Sequence, residues 1–200
     1  WQFSNYENLL LSQITNPGIL QYLNAFKNKK TNPNENLGRE LLELYTLGEG
    51  NFSELDVKNT SKALTGLILD ENNTVKISSK FHDNSEKLIL GKRAKFELRS
   101  LIKWLSNQSY TAENITKRFC NYLLGEKIKS EELNEIIINF KNNNLSLPFL
   151  YRSLANHNKY KNSQKLGLRL LDPFSLVAKS ISLIVSDHIN NFEFGTIIIA

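Results

Sequence analysis

The chain has 200 residues, 40% of them hydrophobic and 22% charged, with a formal net charge of +5. That is an ordinary globular composition, long enough for one domain with a real core or two small ones. No apolar run reaches the roughly eighteen residues of a spanning helix, no cleavable leader is visible at the start, and the single Cys120 excludes an internal disulfide. Basic residues gather at Lys27, Lys29 and Lys30 and again at Lys159, Lys161, Lys165 and Arg169. These clusters are short, separated by acidic helices, and set in a chain rich in Asn, Lys and Ile, which argues against a nucleic-acid interface. The absence of Met, the start at Trp1 and the apolar end at Thr196–Ala200 predict a piece of a longer protein.

In chain order, residues 4–14 read as a helix with Ser4 as N-cap and Leu9, Leu10 and Ile14 at apolar spacing. Asn16-Pro17-Gly18 breaks it, a short helix follows from Ile19 to Phe26, and Lys27 to Asn34 reads as a loop. The next helix spans about Glu35 to Leu47, capped by Asn34 and ended by Gly48. At 100° per residue, Leu37, Leu41, Leu44 and Tyr45 share one arc, while Glu35, Asn36, Arg39, Glu40 and Glu43 share the other. Glu35, Arg39 and Glu43 form a ladder of alternating charge at i, i+4 and i+8.

Ser53-Glu54-Leu55-Asp56 resembles a capping box and opens a helix that ends near Gly66. Leu67–Leu69 and Val75–Ile77 flank the turn-rich Asp70-Glu71-Asn72-Asn73 and predict a β-hairpin, with Lys87–Leu90 as a short additional strand. His82-Asp83-Asn84 falls in the loop between. Helical period returns from Phe96, with Leu98, Leu101, Ile102 and Leu105 on one face. Thr111, Ser130 and Ser146 are read as caps of three more helices, and Asp172-Pro173 opens a last one to about Val185. The expected fold is mostly α: a multi-helix orthogonal or bundle-like array with one small β-hairpin insertion at about residues 67–90. It forms a single helical domain over 1–200, divisible at most into 1–91 and 92–200.

The run Asn34-Glu35-Asn36-Leu37-Gly38-Arg39-Glu40-Leu41-Leu42-Glu43-Leu44-Tyr45-Thr46-Leu47-Gly48 resembles the hallmark of the bacterial family called domain of unknown function 1800. Phe52-Ser53, Asp56-Val57, Ala63-Leu64-Thr65-Gly66, Phe81-His82-Asp83, Lys87 and Leu90-Gly91 continue that resemblance. Three positions depart from the pattern. Asn84-Ser85 replaces a Gly in the His-Asp loop, Tyr45 stands where His or Phe is common, and the hairpin after Gly66 carries no tryptophan. The resemblance implies a helical protein, often exported to the periplasm or cell surface, with no assigned activity.

Two chemistries fit these residues. In the first, Asn34, Glu35, Asn36, Arg39 and Glu43 form a structural polar network in a binding or scaffolding protein of the cell envelope, with a protein or cell-surface partner. In the second, Glu40, Glu43, His82 and Asp83 surround a metal or a water as the machinery of a hydrolase. Glu40 and Glu43 lie at i, i+3, as in carboxylate-bridged metal sites, but no Glu-x-x-His partner exists on another helix. There is no Gly-rich phosphate loop, no G-x-S-x-G and no paired-Cys metal motif. The residues therefore name no cofactor and no definite metal ligand set.

Overall fold

Asn5, one residue later than expected, caps the first helix. Its side-chain oxygen accepts the Asn8 N–H at 3.0 Å, and α1 runs Tyr6–Ile14. The computed structural model describes residues 4–124, 128–158 and 161, so most of the second basic cluster and the helix expected after Asp172-Pro173 lie outside the described residues. Asn16 caps α2 (Pro17–Tyr22) by accepting the N–H groups of Gly18 and Ile19. The helix expected to continue to Phe26 divides, because Asn24 takes a left-handed conformation (φ 54°) before a single 3-10 turn at Ala25–Lys27.

Helix α3 covers Asn36–Glu43, shorter than the periodicity suggested. Beyond Glu43 the turns widen: the Tyr45 N–H reaches the Glu40 carbonyl, and those of Leu47 and Gly48 both reach Leu42. The Thr46 hydroxyl donates to the Leu41 carbonyl at 2.6 Å, and Gly48 closes the segment at φ 83°. The capping box opens α4 (Glu54–Ala63): Ser53 Oγ accepts the Asp56 N–H at 3.2 Å while Asp56 Oδ2 accepts the Ser53 N–H at 2.9 Å. Helices α3 and α4 cross where Gly38 meets Ser61. A Cβ on Gly38 would stand 2.2 Å from Ser61 Oγ and 3.0 Å from its backbone nitrogen, so the crossing admits only glycine.

The expected hairpin is present, with β1 (Leu67–Leu69) antiparallel to β2 (Val75–Ile77) and Leu67 opposite Ile77. Lys87–Ile89 does form a strand, β3, but it joins no larger sheet with that hairpin. It pairs instead with β4 (Lys92–Ala94) in a second two-stranded hairpin that the sequence reading left unmarked. The reason is visible at Leu90-Gly91, where both residues take positive φ, 49° and 75°, the geometry of the tightest hairpin turn. A leucine at that position gives no sequence signal of it.

Four helices follow: α5 (Leu98–Ser106), α6 (Ser109–Leu124), α7 (Ser130–Asn142) and α8 (Leu147–Asn156). Thr111 does not cap α6. Its hydroxyl donates to the Leu105 carbonyl at 2.7 Å and closes α5, and α6 begins two residues earlier. Ser146 caps α8 as expected, with Pro148 in the first turn. The Tyr6 N–H donates to the Leu145 carbonyl at 2.9 Å, which ties the start of α1 to the α7–α8 loop. Leu10, Ile14, Leu20, Leu41, Leu42, Val57, Leu64, Ile89, Leu101, Ile115, Phe140 and Leu150 are buried in one core that draws on every helix from α1 to α8. The fold is mostly α, with eight α-helices and two small hairpins among the described residues.

Candidate functional site

The signature converges on the end of α4. Gly66 takes φ 80°, and a Cβ there would meet the His82 nitrogen at 2.7 Å and the Ser78 oxygen at 2.9 Å. The loop from Ser78 to His82 therefore lies directly on the chain at Thr65-Gly66. His82 is buried, with Nδ1 2.8 Å from the Thr65 carbonyl, and the Asp83 N–H donates to Thr65 Oγ1 at 2.8 Å. Asp83 Oδ1 accepts the Ser85 N–H at 2.9 Å and the Ser85 hydroxyl at 2.6 Å. Lys87 is 2% exposed, and its ammonium donates to the Asp83 carbonyl, to the Ser85 carbonyl at 2.7 Å and to Asp83 Oδ1 at 3.3 Å. Partial burial acts to raise the Asp83 carboxyl pKa, but the hydrogen bonds from Ser85 and Lys87 outweigh it and bring it down to about 2.

Asn28 holds the other side of the same junction. It is 1% exposed, although the sequence places it in a polar loop. Its amide donates to the Ser61 carbonyl at 2.8 Å, its Oδ1 accepts the Asn34 N–H at 2.9 Å, and its own carbonyl accepts the Gly66 N–H at 2.9 Å. One side chain thus joins the start of the signature to the end of α4. Asp56 works at the opposite end of that helix. Its Oδ1 accepts the Leu90 N–H at 2.7 Å, so the capping residue also clamps the strained hairpin turn. Burial acts to raise the Asp56 pKa, yet the Ser53 hydroxyl and the Leu90 and Ser53 N–H groups hold it below the usual carboxylate range.

The polar face of α3 is arranged differently from the ladder that spacing suggests. Arg39 makes a fork-shaped pair with Glu54 on α4, at 2.9 and 2.8 Å, and a longer contact with Glu35 at 3.5 Å. Glu43, the expected third rung, makes no ion pair among the described residues, and neither does Glu40. Glu54 takes Glu43's place because α3 and α4 cross closely at Gly38, which sets the start of α4 opposite Arg39. The hydrogen bond with Glu54 raises the Arg39 pKa further and lowers that of Glu54. The Arg39 side chain is 38% exposed and that of Glu54 68%, so the network lies at the surface. Asn34 accepts the Asn36 N–H at 3.0 Å, and Asn36 itself is exposed.

The helix end is fastened from outside. Asn114 Nδ2 donates to the Thr46 carbonyl at 2.8 Å, Arg118 to the Leu44 carbonyl, and the Tyr6 hydroxyl to the Tyr45 carbonyl at 2.7 Å. Position 45 thus contributes its backbone to the junction, which explains why Tyr can stand there. Among the described residues no group of three or more His, Cys, Asp or Glu side chains is placed to hold a metal. Cys120 is buried, and burial pushes its thiol up to about 11, so it is an unreactive core residue.

The family model described as Protein of unknown function (DUF1800) matches residues 2–194. The chain belongs to this family. No curated protein and no solved structure matches it. Within this DUF1800 chain, the residues the motif contributes mostly bond to backbone: Asp56 to Leu90, His82 to Thr65, Lys87 to Asp83 and Ser85. Glu54 and Asn28 were missed by sequence reasoning. Glu54 gave no signal, because its partner is on another helix. Asn28 could have been suspected only from the small residue it meets at Ser61.

Proposed function

We propose that this DUF1800 chain is a non-catalytic binding or scaffolding domain of the bacterial cell envelope, in which the signature builds a rigid support. The observation that carries the reading is the engagement of its chemically capable side chains. His82 is buried and donates from Nδ1 to the Thr65 carbonyl, Asp83 Oδ1 accepts from Ser85 and Lys87, and Asp56 is divided between a helix cap and a hairpin turn. A general base or metal ligand needs a lone pair directed at a substrate or ion; Asp56 and Asp83 Oδ1 direct theirs at donors of the protein itself, and the His82 ring is buried. No observation favours the hydrolase arrangement of Glu40, Glu43 and His82. No helix among the described residues is long and apolar enough to cross a membrane, which is compatible with an exported location.

Metal analysis of the purified protein, with Glu40→Gln and His82→Ala, tests this. The expected result is sub-stoichiometric metal throughout, a lowered melting temperature for His82→Ala and an unchanged one for Glu40→Gln. Stoichiometric metal that disappears in both variants would overturn the reading.

A further inference from the structure

The net charge of the chain is concentrated in one place. Residues 92–103 hold five cations, Lys92, Arg93, Lys95, Arg99 and Lys103, against one acid, Glu97. This stretch therefore carries +4 of the formal net charge of +5, and the other 188 residues carry +1. Apolar residues interrupt it in sequence, but Phe96, Leu98, Leu101 and Ile102 turn into the core, whereas all five cations are exposed.

The fold brings three of them onto one face. At 100° per residue, Arg99, Ser100 and Lys103 occupy the arc of α5 opposite Leu98, Leu101, Ile102 and Leu105, with Trp104 at its border. Arg99 and Lys103 lie one turn apart, about 6 Å along the axis. Lys92 reaches the same border from β4, with its ammonium 4.6 Å from the centre of the Trp104 ring and 6.0 Å from that of Phe96. Arg93 in β4 and Lys95 just after it add two more charges. None of the five makes an ion pair among the described residues. Residues 162–200 add no net charge that would neutralise them, since Asp172, Asp187 and Glu193 are matched by Lys165, Arg169 and Lys179.

We propose that the face formed by β4 and α5 docks on a bilayer surface rich in anionic phospholipid, held there by charge alone. A partner protein is recognised through buried aromatic or apolar anchors, and no large apolar side chain is exposed between residues 92 and 103. Single-stranded nucleic acid is held by bases stacked on free rings. Here Phe96 is buried, and Trp104 gives its indole N–H to the Ile89 carbonyl and lies under Lys92. Lipid headgroups diffuse in the plane, so they gather under cations spread over a helix and a strand without a preformed match. The proposal names a partner for the binding reading above and rests on its envelope location, at a place the signature does not build.

The test is co-sedimentation of the full chain with vesicles of phosphatidylcholine alone and of an equal mixture of phosphatidylcholine and phosphatidylglycerol. The chain binds the mixed vesicles at low salt, leaves the neutral ones unbound, and is released at about 1 M salt, where charges are screened within about 3 Å. Arg99→Ala and Lys103→Ala each weaken binding about fivefold, and the triple reversal Lys92→Glu, Arg99→Glu, Lys103→Glu abolishes it. The pair Lys27→Ala, Lys30→Ala lowers the net charge by two elsewhere and leaves binding within about twofold of the parent. Circular dichroism checks that each variant is folded; if the triple reversal is not, the two single variants decide. Four results would each overturn the proposal: equal binding to neutral vesicles or to neither kind, undiminished binding by the folded β4–α5 variants, an equal loss in the Lys27, Lys30 pair, or displacement from the vesicles by duplex DNA, which would make nucleic acid the partner. The support reading of the signature is judged separately, by metal content and the His82→Ala melt.

Discussion

The two hairpins have strands of the same length and opposite fates. The second, β3–β4, is fastened along β3 and at its turn. Asp56 takes the Leu90 N–H, the Asn59 amide donates to the Leu88 carbonyl at 2.8 Å, and the Trp104 indole donates to the Ile89 carbonyl at 3.1 Å. Ile89 and Lys87 are buried beneath it, and Lys92 lies 4.6 Å over the Trp104 ring. The first, β1–β2, is held on its β1 side, where the Asn28 carbonyl receives the Gly66 N–H, and among the described residues no strand pairs with the other side of β2. Side chains from two helices can satisfy backbone groups along an edge as a third strand does.

Gly66→Ala is expected to do the most damage, because it disturbs the point both hairpin regions share. Its positive φ and the 2.7 Å approach to His82 leave no room for a methyl group, so a loss of about 3 kcal/mol or outright failure to fold is expected in a urea titration. Asp56→Ala should cost about 2 kcal/mol, combining a lost cap with a left-handed Leu90 whose N–H has no partner. Hydrogen exchange at Leu90 would then rise toward that of Ile77, erasing the contrast between the hairpins.

Acid acts on the same region. The Asp83 pKa is depressed in the fold, so its stabilisation is complete above the ordinary carboxylate pKa and disappears as pH falls through about 2. Stability should decline between about pH 5 and 2 by something on the order of 2 kcal/mol from this group, and Asp83→Asn should flatten that slope in melts across the range. Trp104→Phe removes one hydrogen bond to β3 and is expected to cost about 1 kcal/mol, with faster exchange confined to the second hairpin. The smallest effect belongs to Arg39→Ala. Its pairs with Glu54 and Glu35 are solvent-exposed, and its melting temperature should match the parent within error at physiological salt.

Local chemistry was legible wherever a few adjacent residues decide the outcome. The capping box at Ser53–Asp56, the Asp70–Asn73 turn with both its strands and Pro148 in a first turn all depend on neighbours in sequence, and all stand where the residues point. The resemblance between Asn34 and Gly66 fixed the family for the same reason: a motif is a linear object. What the spacing alone misassigned depends on elements meeting. Thr111 closes α5 because Leu105 lies within reach of its hydroxyl, and Arg39 turns to Glu54 because Gly38 lets α4 come close. Asn28 is buried because Ser61, Asn34 and Gly66 surround it. The outer edge of β2 belongs to the same class, since a strand's alternation says which backbone groups point sideways but only the packing of other elements decides what meets them.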